Sequence, residues 1–355
     1  MNEEKNNPHA PSFKNAWEKN QNSIWLATTL ELHRNIDKFC FPQKLNTEKR
    51  QLVSQLILSL LKTSSTMSEM MVFQAHELPP SEREFLLEHF LIFETTHNGH
   101  NGQAYITEQS GKILLQINAQ DHLNLHIVEP NGNLEEALSH LIEIEQAIEK
   151  GLPFAFSNQF GYVTANPCHA GTGLIVNAYL HIPLLIYKGD FYQKIETEHP
   201  EGLIFTSLQG NPYDLIGNLL VIRNHWTIGV SEEAILSSIR NTVLHVMMEE
   251  QSLRNNLKQE KDTSLLDQIS RAIGTLQHSF SIDTTETLQC LSLVKLGIEL
   301  NWITGISLEN INELFFDCRR AHLAKKTQED SYAAPQLFNV RATLLREVFS
   351  AVTLV

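Results

Sequence analysis

The sequence predicts an α+β fold over its longer N-terminal part and an all-helical unit after it, and three observations carry that division. Short apolar runs separated by turn residues mark strands between Ile24 and Ile228. Amphipathic stretches with recognisable caps alternate with them, most clearly at Leu134–Lys150. Past Glu260 the strands stop, and four segments with helical spacing follow one another across short polar breaks.

Taken in order, Ile24–Leu32 reads as the first strand. Thr47–Leu61 has helical spacing, with Asn46 or Thr47 as its cap and Leu52, Leu56, Leu60 and Leu61 on one face. Ser81–Phe90 is a second helix, carrying Glu82 and Glu84 near its start, where the helix dipole favours acids. Tyr105–Ile106, Lys112–Asn118 and Leu123–Val128 form a meander around the QSG and NAQD turns. Leu134–Lys150 is a strongly amphipathic helix closed by Gly151. Gly161–Thr164 and a turn precede a helix-like run from Gly173 to Tyr187. Leu203–Phe205 and Leu219–Ile228 supply further strand, and Ser231–Leu257 is a long helix opened by a Ser-Glu-Glu cap. The later helices are Ser264–Phe280, Thr284–Asn301, Leu308–Ala324 and Val340–Val352. The expected domains are a polar leader at 1–20, an α+β domain at 21–258 and a helical domain at 259–355.

At 355 residues the chain can bury two proper cores, and 42% hydrophobic with 19% charged residues is an ordinary soluble composition. Its longest apolar runs, around LVSQLILSLL and HIPLLIY, are core-sized rather than membrane-spanning. Met1–Lys19 lacks the apolar stretch of a signal peptide, so a cytoplasmic location is expected. Cys40, Cys168, Cys290 and Cys318 have no metal-type spacing and fit reduced thiols. With 41 acidic and 27 basic residues, the net charge of -14 argues against nucleic acid as a partner. The basic cluster of Arg319, Arg320, Lys325 and Lys326 reads as solvated helix ends. His97 and His100 lie in a Gly/Asn turn without a third ligand, so no metal site is expected.

Several strings together resemble a known family. They are LATTLELHRN at Leu26–Asn35, NAQDHL at Asn118–Leu123, GYVTANPCHAGTGL at Gly161–Leu174 and GNLLVIRNHWTIGVSEEAI at Gly217–Ile235. LVKLGIELNWITGIS at Leu293–Ser307, AHLAKK at Ala321–Lys326 and VRATLLRE at Val340–Glu347 complete the set. Their order and spacing resemble the guanidino-phosphotransferase (phosphagen kinase) superfamily, and within it the bacterial protein-arginine kinases of the McsB type. The resemblance implies a phosphagen-kinase-like catalytic domain, a mainly antiparallel sheet flanked by helices, followed by an all-helical C-terminal domain. It also implies transfer of a phosphoryl group from Mg-ATP to a protein arginine. That chemistry needs cations around the phosphates and a carboxylate beside the guanidinium.

Residue by residue, the chemistry is missing from the matching positions. Where the family has Ser-Ser-Arg-Ile-Arg, this chain has Ala27, Thr28, Thr29, Leu30 and Glu31. Thr29 supplies no charge and Glu31 supplies the opposite one. Arg34, further along the strand, reads as a structural ion-pair residue. Where the family has Asn-Glu-Glu-Asp-His-Leu-Arg, this chain has Asn118, Ala119, Gln120, Asp121, His122, Leu123 and Asn124. Both glutamates are gone, and loss of a general base alone costs about 10²- to 10⁴-fold in rate. Asp121 and His122 read as a turn-stabilising Asp and a packed His. After Gly171, Thr172, Gly173 and Leu174 the expected arginine is Ile175, which favours a purely conformational role for the glycines. Asn166 stands where relatives often carry a reactive cysteine, and Cys168 reads as an ordinary thiol.

Further along, Thr206 replaces an arginine and Asn211 an acid, leaving His76 as the clearest surviving nucleotide-contact position. The Arg-Asp-x-x-Arg-Ala motif linked with phosphoarginine recognition reads Leu337, Phe338, Asn339, Val340, Arg341 and Ala342.

The scaffold is kept while the phosphate-binding residues are replaced, so the expectation is a pseudokinase that binds no cofactor and acts as an adaptor in protein quality control. The resemblance implies a homodimer through the helical domain, a zinc-containing activator protein and a Clp-type unfoldase as partners, and neither nucleic acid nor membrane. The alternative is an active arginine kinase using Mg-ATP, its charge rebuilt from Lys188, Arg223, His76 or His225 and its base from Asp121. A third reading is a small-ligand sensor that uses Glu31 and Asp121.

Overall fold

The computed structural model describes residues 17, 22–63, 70–92, 99–108, 110–189, 191, 193, 200–259, 262–327 and 334–355. The chain falls into two units, each assembled from separate stretches. One holds Thr28–Val176 and Asn224–Ser237; the other holds Trp17–Ala27, Asn177–Arg223 and Ser238–Val355. Of the expected leader at 1–20, only Trp17 lies among the described residues.

In the first unit the chain runs through β1 (Trp25–Arg34, from Thr28), α1 (Thr47–Thr63), β2 (Met71–Gln74), α2 (Pro80–Glu88), β3 (Ala104–Thr107), β4 (Ile113–Ile117) and β5 (Leu123–Glu129). It continues through α3 (Leu134–Glu149), β6 (Phe156–Ser157), β7 (Gly161–Tyr162) and the start of β8 (Leu174–His181). Five strands follow the order β2-β3-β4-β5-β1, and every neighbouring pair is antiparallel. Helix α3 buries Leu134, Leu138, Leu141, Ile144 and Ile148 and packs on β5. Its apolar stripe recurs every three to four residues, which is why its limits are legible in the sequence.

One segment departs from expectation. The run Gly173–Tyr187, read as helical, is strand β8 followed by the short helix α4 (Pro183–Tyr187). All eight residues of β8 are buried, so apolar residues on both faces erase the two-residue alternation that marks a half-exposed strand. Pro183 then opens α4 at a position where no backbone N–H is needed.

In the second unit, β8 continues from Asn177, and β9 (Leu203–Thr206) and β10 (Leu219–Asn224, to Arg223) follow. Here β8, β10 and β9 are neighbours in that order. The expected strand Leu219–Ile228 stops at Asn224, whose side-chain amide donates to the carbonyls of Leu174 and Trp226 and bends the chain. The helices are α5 (Glu232–Gln259, from Ser238), α6 (Thr263–His278), α7 (Thr284–Glu299), α8 (Leu308–Asp317), α9 (Arg320–Thr327) and α10 (Ala334–Phe349). A small ribbon pairs β11 (Ile303–Thr304) with β12 (Thr353–Leu354). The expected helix Leu308–Ala324 is thus two helices, separated by a tight turn at Cys318 and Arg319.

A buried polar hub organises this unit. Arg254 pairs with Glu250 at 2.9 Å and donates to the His181 carbonyl at 3.1 Å and the Ser23 hydroxyl at 3.1 Å. Glu250 in turn accepts the backbone N–H of Leu185 at 3.0 Å, satisfying an N-terminal donor of α4. Trp17 is buried against Phe315 and Phe316, with ring centroids 4.3 and 4.9 Å away. Among the described residues, no helix is long and apolar enough to cross a membrane.

Candidate functional site

The central feature of the first unit is one polar face shared by β1 and β5. Strand alternation puts Thr29, Glu31 and His33 on the same side of β1. The register sets Glu31 opposite His126 and His33 opposite Asn124. All five residues are buried. Buried polar groups need partners; here ion pairs join Glu31 to His33 and His126, while the Asn124 oxygen has no hydrogen-bond partner among the described residues.

Glu31 is held between two imidazoles. Its Oε2 lies 3.2 Å from His33 Nε2, and its Oε1 lies 3.3 Å from His126 Nδ1. The other nitrogen of His33, Nδ1, lies 3.2 Å from Asp121 Oδ2. Burial by itself would push the Glu31 carboxyl up, but hydrogen bonds to His126 and His33 outweigh it and hold it well below the usual carboxylate range. Burial would likewise lower His33, yet Asp121 and Glu31 on either side raise it to about 9. His33 is therefore an imidazolium at neutral pH, hydrogen-bonded through Nδ1 to Asp121 and ion-paired through Nε2 with Glu31.

Asp121 is also fully committed. Besides His33, its Oδ1 accepts the Asn35 side-chain amide at 2.5 Å and the Ala165 backbone N–H at 2.6 Å. These bonds keep its carboxyl low against the upward push of burial. His122 sits beside it with Nδ1 accepting the Ile36 N–H at 3.1 Å, and burial lowers its pKa to about 4. The backbone N–H of His122 donates to Asn35 Oδ1 at 3.0 Å. Asp121 and His122 thus fasten the end of β1 and the Ala165 loop to the turn after β4.

The remaining motif positions are structural where the bonds can be followed. Asn118 takes a left-handed φ of 53° and donates to the carbonyls of Arg50 and Gly102. Ala119 and Gln120 are half-buried in the same turn. Thr29 and Ile175 are buried in β1 and β8, and His76 is exposed in a turn after β2. Arg34, read as an ion-pair residue, is buried and bonds Glu145 at 2.5 Å and the carbonyls of His33 and Thr172, with its guanidinium 3.6 Å over the Tyr162 ring.

The glycines serve backbone crowding. The N–H of Gly171 bonds the Tyr162 carbonyl, and the N–H of Thr172 bonds the Thr227 carbonyl. A Cβ on Gly171 would lie 2.1 Å from the Thr227 carbonyl oxygen, at a φ of +100°. A Cβ on Gly173 would lie 2.6 Å from an Arg34 nitrogen.

Other predicted positions belong to the second unit. Thr206 is half-buried at the end of β9, and Asn211 is an exposed turn residue accepting the Tyr213 N–H. Arg341 is buried, donating to the carbonyls of Cys318 at 2.6 Å and Ile282 at 2.8 Å and to the Thr284 hydroxyl at 2.9 Å. Leu337 and Ala342 are buried beside it in α10, and Phe338 is half-buried under its guanidinium.

Sequence reasoning singled out Glu31 and Asp121 but missed His33, Asn35 and His126, which join them. The available signal was polar residues two apart, Glu31-x-His33-x-Asn35 and Asn124-x-His126, in and beside strands rich in apolar residues.

Comparison with known proteins agrees with this scaffold. Residues 51–253 match the profile described as ATP:guanido phosphotransferase, C-terminal catalytic domain, and residues 262–354 match the protein-arginine kinase McsB C-terminal domain. The chain is 35% identical over 331 residues to a protein-arginine kinase of Chlamydia pneumoniae, covering 92% of each. It is 32% identical over 340 residues to that of Syntrophomonas wolfei, covering 95% of this chain and 94% of the other. Among solved structures, lombricine kinase matches with a TM-score of 0.57 at 18% identity, over 70% of this chain and 74% of that one. The duplicated taurocyamine kinase of Schistosoma mansoni matches with a TM-score of 0.58 at 20% identity, over 75% and 39%.

Proposed function

This chain belongs to the protein-arginine kinase family of ATP:guanido phosphotransferases, and from that premise we propose that it is a pseudokinase, working by binding other proteins rather than by transferring phosphate. One observation carries the reading. At a position where the family resemblance calls for a phosphate-binding arginine, Glu31 is a buried carboxylate clamped by His33 and His126. A polyphosphate brought there meets negative charge at short range.

The residues present do not fit a magnesium nucleotide. Thr29, Glu31, Asn124, Ile175 and Thr206 stand at the five expected cationic positions, and Ala119 and Gln120 replace the paired acids. Asp121 is a poor substitute base, since both its oxygens are already hydrogen-bonded and it is buried. The phosphoarginine motif supports the same reading, because Arg341 is consumed by two carbonyls and a hydroxyl.

An adaptor role in Clp-type quality control follows from the family rather than from the site. Its expected elements are a cytoplasmic location, a homodimer through the C-terminal helices, a zinc-containing activator protein and a Clp-type unfoldase. The alternative, an active kinase with a rebuilt site, is favoured by one feature, the imidazolium of His33. Calorimetry with excess Mg-ATP on the full-length chain separates the two. Absence of heat supports the pseudokinase; micromolar binding, followed by radiolabel transfer to an arginine-rich protein, overturns it.

A further inference from the structure

The face that carries Glu31 contains a group that nothing in the fold explains. Asn124 lies on β5, directly opposite His33 and one alternate residue from His126. It is 92% buried by its 8% exposure, yet its Oδ1 has no hydrogen-bond partner among the described residues. A buried amide oxygen left unpaired costs about 1–3 kcal/mol, so its retention calls for a donor. The same face presents the Glu31 carboxylate, whose side chain keeps 12% exposure and is therefore reachable from solvent. Gln116 of β4 stands opposite Asn124 on its other side and is only half-buried.

Two carboxylates, Glu31 and Asp121, flank the imidazolium of His33, with His126 on the far side of Glu31, and the Asn124 oxygen adds an acceptor with no hydrogen-bond partner among the described residues. The complementary guest is small, carries N–H donors and is cationic. An anion is the opposite of what this face recruits.

We propose that the β1–β5 face is a binding site for an organic ammonium ion, with Glu31 supplying the countercharge and Asn124 a neutral acceptor. The charge preference expected at this position from the family is thereby inverted, from a phosphate-binding patch to a cation-binding one. The inference rests on the reading that the site no longer takes nucleotide, and it adds the chemical class of what it takes instead. His33 and His126 position the carboxylate, fixing both oxygens so that a guest meets a preorganised acceptor rather than a mobile one.

The test uses the full-length protein in thermal-shift and calorimetric titrations with ethylammonium chloride and spermidine, against sodium chloride at matched ionic strength. Saturable binding is expected, raising the melting midpoint by about 2 °C at tenfold excess over the dissociation constant. Glu31→Gln should weaken it at least about tenfold, the scale of one charge-assisted hydrogen bond. Asn124→Leu separates a ligand role from a structural one. It should leave the melting midpoint of the ligand-free protein unchanged or higher, because an unpaired buried oxygen is removed, while weakening ammonium binding. No shift beyond sodium chloride, or full binding retained in both variants, overturns the proposal. Mg-ATP is titrated alongside. If it too is silent, only the ammonium assignment has failed, whereas nucleotide binding overturns the reading beneath it.

Discussion

Replacing His33 by Gln should remove a pH dependence of stability that the wild type shows on the alkaline side. The buried imidazole is raised from 6.5 to about 9 by Asp121 and Glu31. His33 binds its proton more tightly folded than unfolded, so its contribution is complete below pH 6.5 and is lost as the pH rises through about 9. At ~1.4 kcal/mol per pKa unit, this amounts to about 3 kcal/mol, which needs no discount for solvent screening because the ring is 4% exposed. Lys295 works in the opposite direction over part of the same window. Burial lowers it to about 7, so the folded chain gains stability as the pH climbs from there towards 10.5. For that reason the quantity to follow is the difference between wild type and His33→Gln, in which Lys295 cancels. Urea unfolding followed by circular dichroism at intervals from pH 6 to 10 gives it. The wild-type advantage should shrink by about 3 kcal/mol across the window. Parallel curves for the two proteins would show that His33 is not the clamped imidazolium described above.

Gly171→Ala should cost about 2–4 kcal/mol, read as a lower urea midpoint at unchanged slope, because its methyl group would lie 2.1 Å from the Thr227 carbonyl oxygen. Arg341→Ala should lower stability by about 3 kcal/mol or more, since it strands two carbonyls and a hydroxyl; Arg341→Lys should rescue little, a single ammonium being unable to span all three. Thiol labelling with a chromogenic disulfide should modify Cys40 and Cys168 first, both being exposed. Cys290, pushed up to about 11 by burial, should follow slowly, and buried Cys318, pushed to about 12, only on unfolding.

The legible parts of the fold were those with one exposed face. Helix α3 declares itself through a stripe of Leu and Ile against a glutamate-rich opposite side, and its observed span, Leu134–Glu149, ends one residue short of the reading. Helices α6 and α7, read from their spacing alone, are capped by Asp262 and Asp283, whose side chains accept the first free N–H groups. β8 was illegible for the converse reason: with every residue buried, hydrophobicity carries no phase. The site divides similarly. Which charges stand at the motif positions can be read from Thr29, Glu31 and Ile175 directly. That Glu31 is paired, and with what, depends on the pairing of β1 with β5, which sets His126 beside it from far along the chain. No local pattern encodes that register.

The interleaving of the two units bears on how the chain is made. Neither unit is encoded as one continuous stretch, so the ribosome never delivers a finished one until late. The first unit lacks its last piece until Ser237 has emerged. In the second, Ile24 waits for the N–H of His181, and Trp17 waits for the aromatic pair at Phe315 and Phe316. Pairings so distant in sequence close slowly, and the apolar N-terminal strand is left uncovered in the meantime. Order of synthesis and order of assembly therefore diverge in this protein, and a fragment ended near residue 258 would keep Trp17 while discarding the rings that bury it.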